Sequence, residues 1–355
     1  MSSRTFCLPH ETGGILYERQ NQNLRTGLQS MKPMEFESSE DKGAETIGKM
    51  VCIQVDNLTK RYGKLLAVDH ISFKVEQGEF LGFLGPNGAG KTTTVRMLTG
   101  IIRADEGTAS ILGHKAGSLG AKQMSGVLPE MANAYTDLSG WNNLMLVAQL
   151  YGVPAKEARE RGESLLQKLG LQPRKDDLVK GYSKGMKQRL ILCMALVSDP
   201  QILFLDEPTS GLDVQSARLI KGLLQELNAR GKTIFLTTHD MDEANQLCHR
   251  VAIINQGRIV AVDAPEKIRL ATGGVHSVEV SFNGEPSMET LAKLPGVNSA
   301  KKLGDKYRLY TADPGELVAS VVSFSDVHRL KIVSLNILAP TLEDAFVALT
   351  EKETK

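Results

Sequence analysis

Cysteine is scarce in this chain and never closely spaced. There are four in 355 residues (Cys7, Cys52, Cys193 and Cys248), with no CxxC pair. That argues against a disulfide scaffold or a cysteine-based zinc site and fits a reducing compartment. Aromatic residues make up only 5%, with a single tryptophan, too few for a platform that stacks single-stranded bases. Neither sign of charge dominates: 42 Lys+Arg against 41 Asp+Glu leave +1. A broad footprint for nucleic acid or an anionic membrane normally needs a clear basic excess. No apolar run approaches the roughly 18 residues needed to span a bilayer, and "GILY" (14–17) is too short for a signal-peptide core.

What is there is a globular composition, 41% hydrophobic and 23% charged, in a chain long enough for one large domain plus appendages. Residues 1–49 mix Arg, Asn, Gln, Ser and Glu without helical or strand period. They are expected to be a disordered leader, or to lie upstream of a true start at Met50. From Val51 to about Gly273, β-branched runs of strand length alternate with helical patterns, as in α/β proteins with a mostly parallel sheet. "FLGFLG" (80–85), "QILFLDEP" (201–208), "KTIFLTTH" (232–239) and "RVAIINQG" (250–257) are continuously apolar, the signature of strands covered on both faces. A stretch near 128–198, with "ARERGESLLQKLGL" and "GMKQRLILCMALV", reads as a helical insertion. Residues 274–355 read as a small separate α+β domain of β-α-β-α-β-α units. It carries no chemical motif and is expected to be a packing or regulatory appendage.

The strongest chemical signal is Gly85-Pro86-Asn87-Gly88-Ala89-Gly90-Lys91-Thr92, a GxxxxGK[ST] loop between a strand-like and a helix-like segment. Its glycines let backbone N–H groups turn inward around an anion, and the helix offers its positive N-terminus. Lys91 can reach β- and γ-phosphates; Thr92, followed by Thr93, can join a Mg²⁺ shell. A second signal is Asp206-Glu207 at the end of an apolar strand, where open α/β sheets bind ligands. Asp206 would hold Mg²⁺ through water, leaving Glu207 free to polarise the attacking water.

Together these residues resemble the nucleotide-binding subunit of an ATP-binding cassette (ABC) transporter. The resemblance covers residues 51–273, with the family's motifs in order, and implies a P-loop ATPase fold that adds an antiparallel β part to the core sheet. It implies that Tyr62 in "KRYGK" stacks on adenine and that His239 in "LTTHD" contacts the γ-phosphate. "YSKGMKQR" (182–189) stands where the family has LSGGQ: Ser183 and Gly185 match, whereas Tyr182, Lys184 and Met186 replace Leu, Gly and Gln. Asp213 in "SGLD" matches the residue at the dimer seam. Read singly, Tyr62 is a turn aromatic, Ser183 a helix cap and His239 a loop histidine; their ordered joint occurrence carries the likeness. One departure stands out. The family's usual glutamine aligns with Glu130 in "LPE", and a carboxylate only accepts hydrogen bonds where a glutamine also donates. Glu130 can still ligate Mg²⁺. The "LPE" form resembles a branch of exporters, for drugs, lipids or polysaccharides, whose membrane subunit is a separate chain.

One phosphate loop and one signature make half of an ATP sandwich. The resemblance therefore implies a dimer, either a homodimer or a heterodimer with a related ATPase subunit, using ATP and Mg²⁺. It also implies a separate polytopic membrane permease, received near 128–150, with the dimer peripheral at the cytoplasmic face. Trp141 there is an interface anchor or a core residue. The second reading is a soluble ABC ATPase acting on the ribosome or DNA. It is disfavoured by the single motif set, by the roughly ninety residues between loop and signature, and by the near-neutral charge.

Overall fold

A computed structural model describes residues 50–130, 134–271 and 276–351. The expected leader, 1–49, lies outside them. β1 (Val51–Tyr62) and β2 (Leu65–Glu76) open an antiparallel sheet, β3 (Phe80–Leu84) starts the central one, and β4 (Glu106–Ile111) and β5 (His114–Lys115) return to the first. The antiparallel sheet runs β2-β1-β4-β5. β6 (Ser125–Leu128), β7 (Ile202–Asp206), β8 (Thr233–Thr238), β9 (Arg250–Asn255) and β10 (Arg258–Asp263) complete a central sheet of order β10-β9-β3-β8-β7-β6. All its pairings are parallel except β10 on β9.

The apolar runs explain that sheet. Every residue of β3, β7 and β8 is buried, because helices cover one face and the antiparallel sheet the other. Phe73, Phe83, Phe204 and Phe235 fill the space between the two sheets, with neighbouring ring centroids 5.4–5.8 Å apart. Between β6 and β7 the helices Gly140–Leu150, Ala155–Lys168 and Lys184–Leu196 form the insertion expected at 128–198. Trp141 is half-buried against their core, its ring under the Lys175 ammonium at 5.1 Å.

The C-terminal part holds a third sheet. β11 (His276–Phe282), β12 (Ser299–Leu303), β13 (Lys306–Thr311) and β14 (Ile332–Leu338) pair antiparallel in the order β12-β13-β11-β14. Two features depart from the β-α-β-α-β-α reading. The strand β12 was missed because "SAKKL" has little apolar period; a two-residue turn with Gly304 at φ +64° folds it onto β13. The part is also less separate than its sequence texture implies. The final helix, Leu342–Glu351, returns to the nucleotide domain, where Leu342 and Ala345 are buried in the same core as Leu247 and Ile268. Among the described residues, no helix is long and apolar enough to cross a membrane.

Candidate active site

Three parallel strands end side by side, and each delivers one part of a cleft: β3 the phosphate loop, β7 the carboxylates, β8 the histidine. Such strand ends are where open α/β sheets bind ligands. The loop turns into the helix Lys91–Leu98 through Gly90 at φ +108°, a conformation that side chains disfavour. A Cβ there would also meet the Ala67 carbonyl at 2.5 Å, so glycine is required twice over. Lys91 is buried, and its ammonium donates to the carbonyls of Gly85 (2.8 Å) and Pro86 (3.2 Å). The Ala89 N–H also donates to Pro86 O, closing the loop's own turn.

Thr92 sits between two carboxylates, its hydroxyl 3.2 Å from Asp206 Oδ1 and 3.4 Å from Glu130 Oε2. Burial lifts the Asp206 carboxyl above the usual aspartate range. Hydroxyls of Thr237 and Thr92 pull it back, and the charges of Glu130 and Glu207 add to the rise. Glu207 adopts φ +53°, unusual for a residue with a side chain. Its N–H is held by the Thr237 carbonyl (3.1 Å) and hydroxyl (3.2 Å), which keeps the backbone there. The strained turn swings the carboxylate into the cleft. His239 Nδ1 lies 2.7 Å from its Oε2; its Oε1 is 3.3 Å from Lys91 Nζ, yet is buried without an aligned hydrogen bond. The cleft has a volume of about 640 Å³ and is lined by Tyr62, Asn87, Gly88, Thr93, Glu130 and Gln256, among others. Tyr62 is 46% exposed at its rim, with Lys60 Nζ 5.6 Å from its ring centroid.

The signature residues gather elsewhere. Ser183 caps the helix Lys184–Leu196, accepting from the Met186 N–H at 3.2 Å. Asp213 caps the helix Val214–Ala229, accepting from the Ser216 N–H and hydroxyl, both at 2.8 Å. Those bonds hold the Asp213 carboxyl below the usual range. The two caps adjoin: Lys184 Nζ donates to Ser210 O (3.1 Å), and a Cβ on Gly185 would meet Ser216 Oγ at 2.6 Å. Met186 packs on the core beneath. Among the described residues, no hydrogen bond or ion pair joins Ser183–Met186 to the cleft.

The residues read from sequence thus fall into two groups, Tyr62 with residues 85–93, Glu130, Asp206, Glu207 and His239 in one, and Ser183–Met186 with Asp213 in the other. Sequence reasoning missed Thr237, which braces both carboxylate residues, and Gln256 in the cleft wall. Thr237 is one of three threonines in the strand Thr233–Thr238, so no local signal singled it out.

A P-loop followed by paired carboxylates and a histidine on adjacent parallel strands defines a nucleotide-hydrolysing cassette. An ABC transporter family model matches residues 68–210. The chain is 37% identical over 311 residues to the Nod factor export ATP-binding protein I of Ralstonia nicotianae, covering 87% of this chain and 97% of that one. It is 34% identical to the linearmycin resistance ATP-binding protein LnrL of Bacillus subtilis, covering 84% and 98%. A solved ATP-binding subunit of an ABC transporter superposes with TM-score 0.59 at 29% identity, over 62% of this chain and 93% of that one. A bacterial ABC transporter cassette solved as a dimer gives 0.56 at 25%, over 60% and 98%. The chain belongs to the ABC transporter family as an ATP-binding subunit, and its reaction is ATP hydrolysis.

Proposed function

We propose that this chain powers export through a separate polytopic membrane subunit, working as a dimer at the cytoplasmic face. The observation that carries the chemistry is Glu207: a buried carboxylate oxygen without an aligned donor, between Lys91 and His239, at the floor of the cleft. That oxygen can accept a proton from an attacking water, so Glu207 acts as the base. Lys91 exchanges its loop carbonyls for β- and γ-phosphate oxygens, His239 orients Glu207 and reaches the γ-phosphate, and Tyr62 stacks on adenine. Thr92, Asp206 and Glu130 form a hard-oxygen set that fits Mg²⁺, and a divalent charge would relieve the burial of Asp206. Among the described residues, no three His, Cys, Asp or Glu side chains are placed to hold a metal by themselves. Phosphate oxygens and water would complete the shell. Mg²⁺, when bound, supplies charge neutralisation at the transferring phosphate.

Ser183 and the helix it caps, with Lys184, Gly185, Met186 and Asp213, meet the γ-phosphate bound by a second copy or by a related ATPase subunit. The membrane subunit is expected at an apolar groove of about 330 Å³ lined by Leu98, Ile101, Ile111, Val127, Pro129 and Tyr151. Ile101 is 60% exposed there, which fits docking of a short amphipathic helix. Tyr151 of this groove follows the helix Gly140–Leu150 at the end opposite Trp141, which packs on the core. Export is supported by the names of the relatives, an export protein and a resistance protein. They favour a transporter over an ATPase acting on the ribosome or DNA. The test is mass spectrometry of what co-purifies with tagged Glu207→Gln protein from detergent-solubilised membranes with ATP. A polytopic membrane protein at near-equal stoichiometry is expected; ribosomal or DNA-associated proteins alone would overturn the reading.

A further inference from the structure

Glu243 is 1% exposed, on the helix Met241–Leu247 that follows His239. A buried carboxylate is costly unless it is paired, and an apolar side chain of similar volume would fill the same space at lower cost. Its partners lie on two other segments. Thr209 donates its hydroxyl to Glu243 Oε1 at 2.6 Å, and Lys221 Nζ stands 3.9 Å from the same oxygen. Thr209 is two residues beyond Glu207; Lys221 is on the helix Val214–Ala229 that Asp213 caps.

We propose that Glu243 is a positioning residue for ATP hydrolysis: by holding Thr209 it fixes the loop carrying Glu207 to the helix that follows His239, and ties both to the helix that Asp213 caps. The inference rests on Glu207 being the base. Glu207 and His239 leave neighbouring strands on separate loops, and their side chains meet at 2.7 Å. A bond from the loop just beyond Glu207 to the helix just beyond His239 limits how far that pair can drift, and a small misplacement of a base is costly in rate. Lys221 extends the link to the helix Val214–Ala229, which Asp213 caps.

Two variants separate positioning from mere packing in the full-length protein. Thr209→Val is isosteric but takes away the one hydroxyl bonded to the Glu243 carboxylate, leaving it only the Lys221 ammonium at 3.9 Å. Adding Glu243→Met makes the contact apolar on both sides, which restores stability where an unpaired charge was the only damage. With positioning, the double variant unfolds at the parent temperature, yet its kcat stays down about tenfold while KM for ATP holds within about twofold. Thr209→Ser, which keeps the hydroxyl, returns near the parent rate. A double variant with parental kcat, or a loss confined to KM, overturns the proposal. Glu207→Gln measured in parallel keeps the two readings apart. If it retains the parent rate, the base assignment fails; if it is inactive while the Thr209 and Glu243 variants turn over normally, only this inference fails.

Discussion

The phosphate cleft and the signature segment, which the proposed dimer would bring together as two half-sites, are built differently. In the cleft, side chains from four strand ends bond to one another. Lys91 reaches Glu207, Glu207 reaches His239, and Thr92 reaches Asp206 and Glu130. At the signature, Ser183 and Asp213 satisfy only the caps of their own helices and remain exposed. Val214, an apolar side chain just beyond Asp213, is 77% exposed. A surface with its polar groups internally satisfied and an apolar residue open to solvent is suited to a partner that covers it. The contrast teaches that nucleotide binding should belong to the single chain and hydrolysis to two.

The sharpest way to break that contrast is at the base. Glu207→Gln should lower ATP hydrolysis by about 10²–10⁴-fold while leaving ATP binding intact and accumulating an ATP-bound dimer. Phosphate release and sedimentation, run together, check both halves; turnover at the parent rate removes Glu207 as the base. Lys91→Ala should weaken ATP binding by at least about tenfold even in the isolated chain, since the buried ammonium of the phosphate loop is lost. Equilibrium binding of a fluorescent ATP analogue reads this, and unaltered affinity would detach Lys91 from the phosphates. Ser183→Ala is the complementary change on the other half-site. Losing the cap costs about 1 kcal/mol of helix stability. Affinity of the single chain for ATP should stay within about twofold, while ATP-induced dimerisation of Glu207→Gln protein falls about tenfold. Dimerisation that is indifferent to Ser183 would erase the division between the halves.

What could be read from the sequence follows the same physical line. The phosphate loop was legible because backbone geometry dictates residue type: Gly90 at φ +108° against the Ala67 carbonyl admits nothing else. The central strands were legible because both their faces are covered. Thr237 was not, since a threonine among Ile, Phe and Leu reads as an ordinary β-branched strand residue. Glu243 was hidden in "DMDEANQL", which looks like a solvated acidic helix until the fold turns that side inward against Thr209. The return of Leu342–Glu351 to the nucleotide domain depends on a docking surface made by helices far away in sequence, which no local pattern reports.

Glu130 gives the smallest expected effect and the finest test of the cleft. Its carboxylate lies 3.4 Å from the Thr92 hydroxyl and adds to the charge that raises the Asp206 carboxyl. Replacing it with glutamine removes one negative charge near the phosphates while keeping an oxygen ligand. Two consequences follow with opposite sign. ATP without metal should bind a few-fold more tightly, about 1 kcal/mol or less, because repulsion of the polyphosphate falls. Half-saturation by Mg²⁺ should rise by about the same factor, because one hard anionic ligand has become neutral. Hydrolysis at saturating Mg²⁺ would then change little, and only a titration of the metal at fixed ATP separates the variants. If neither the ATPase rate nor its Mg²⁺ dependence moves, Glu130 lines the cleft without serving the metal, and the hard-oxygen set reduces to Thr92 and Asp206.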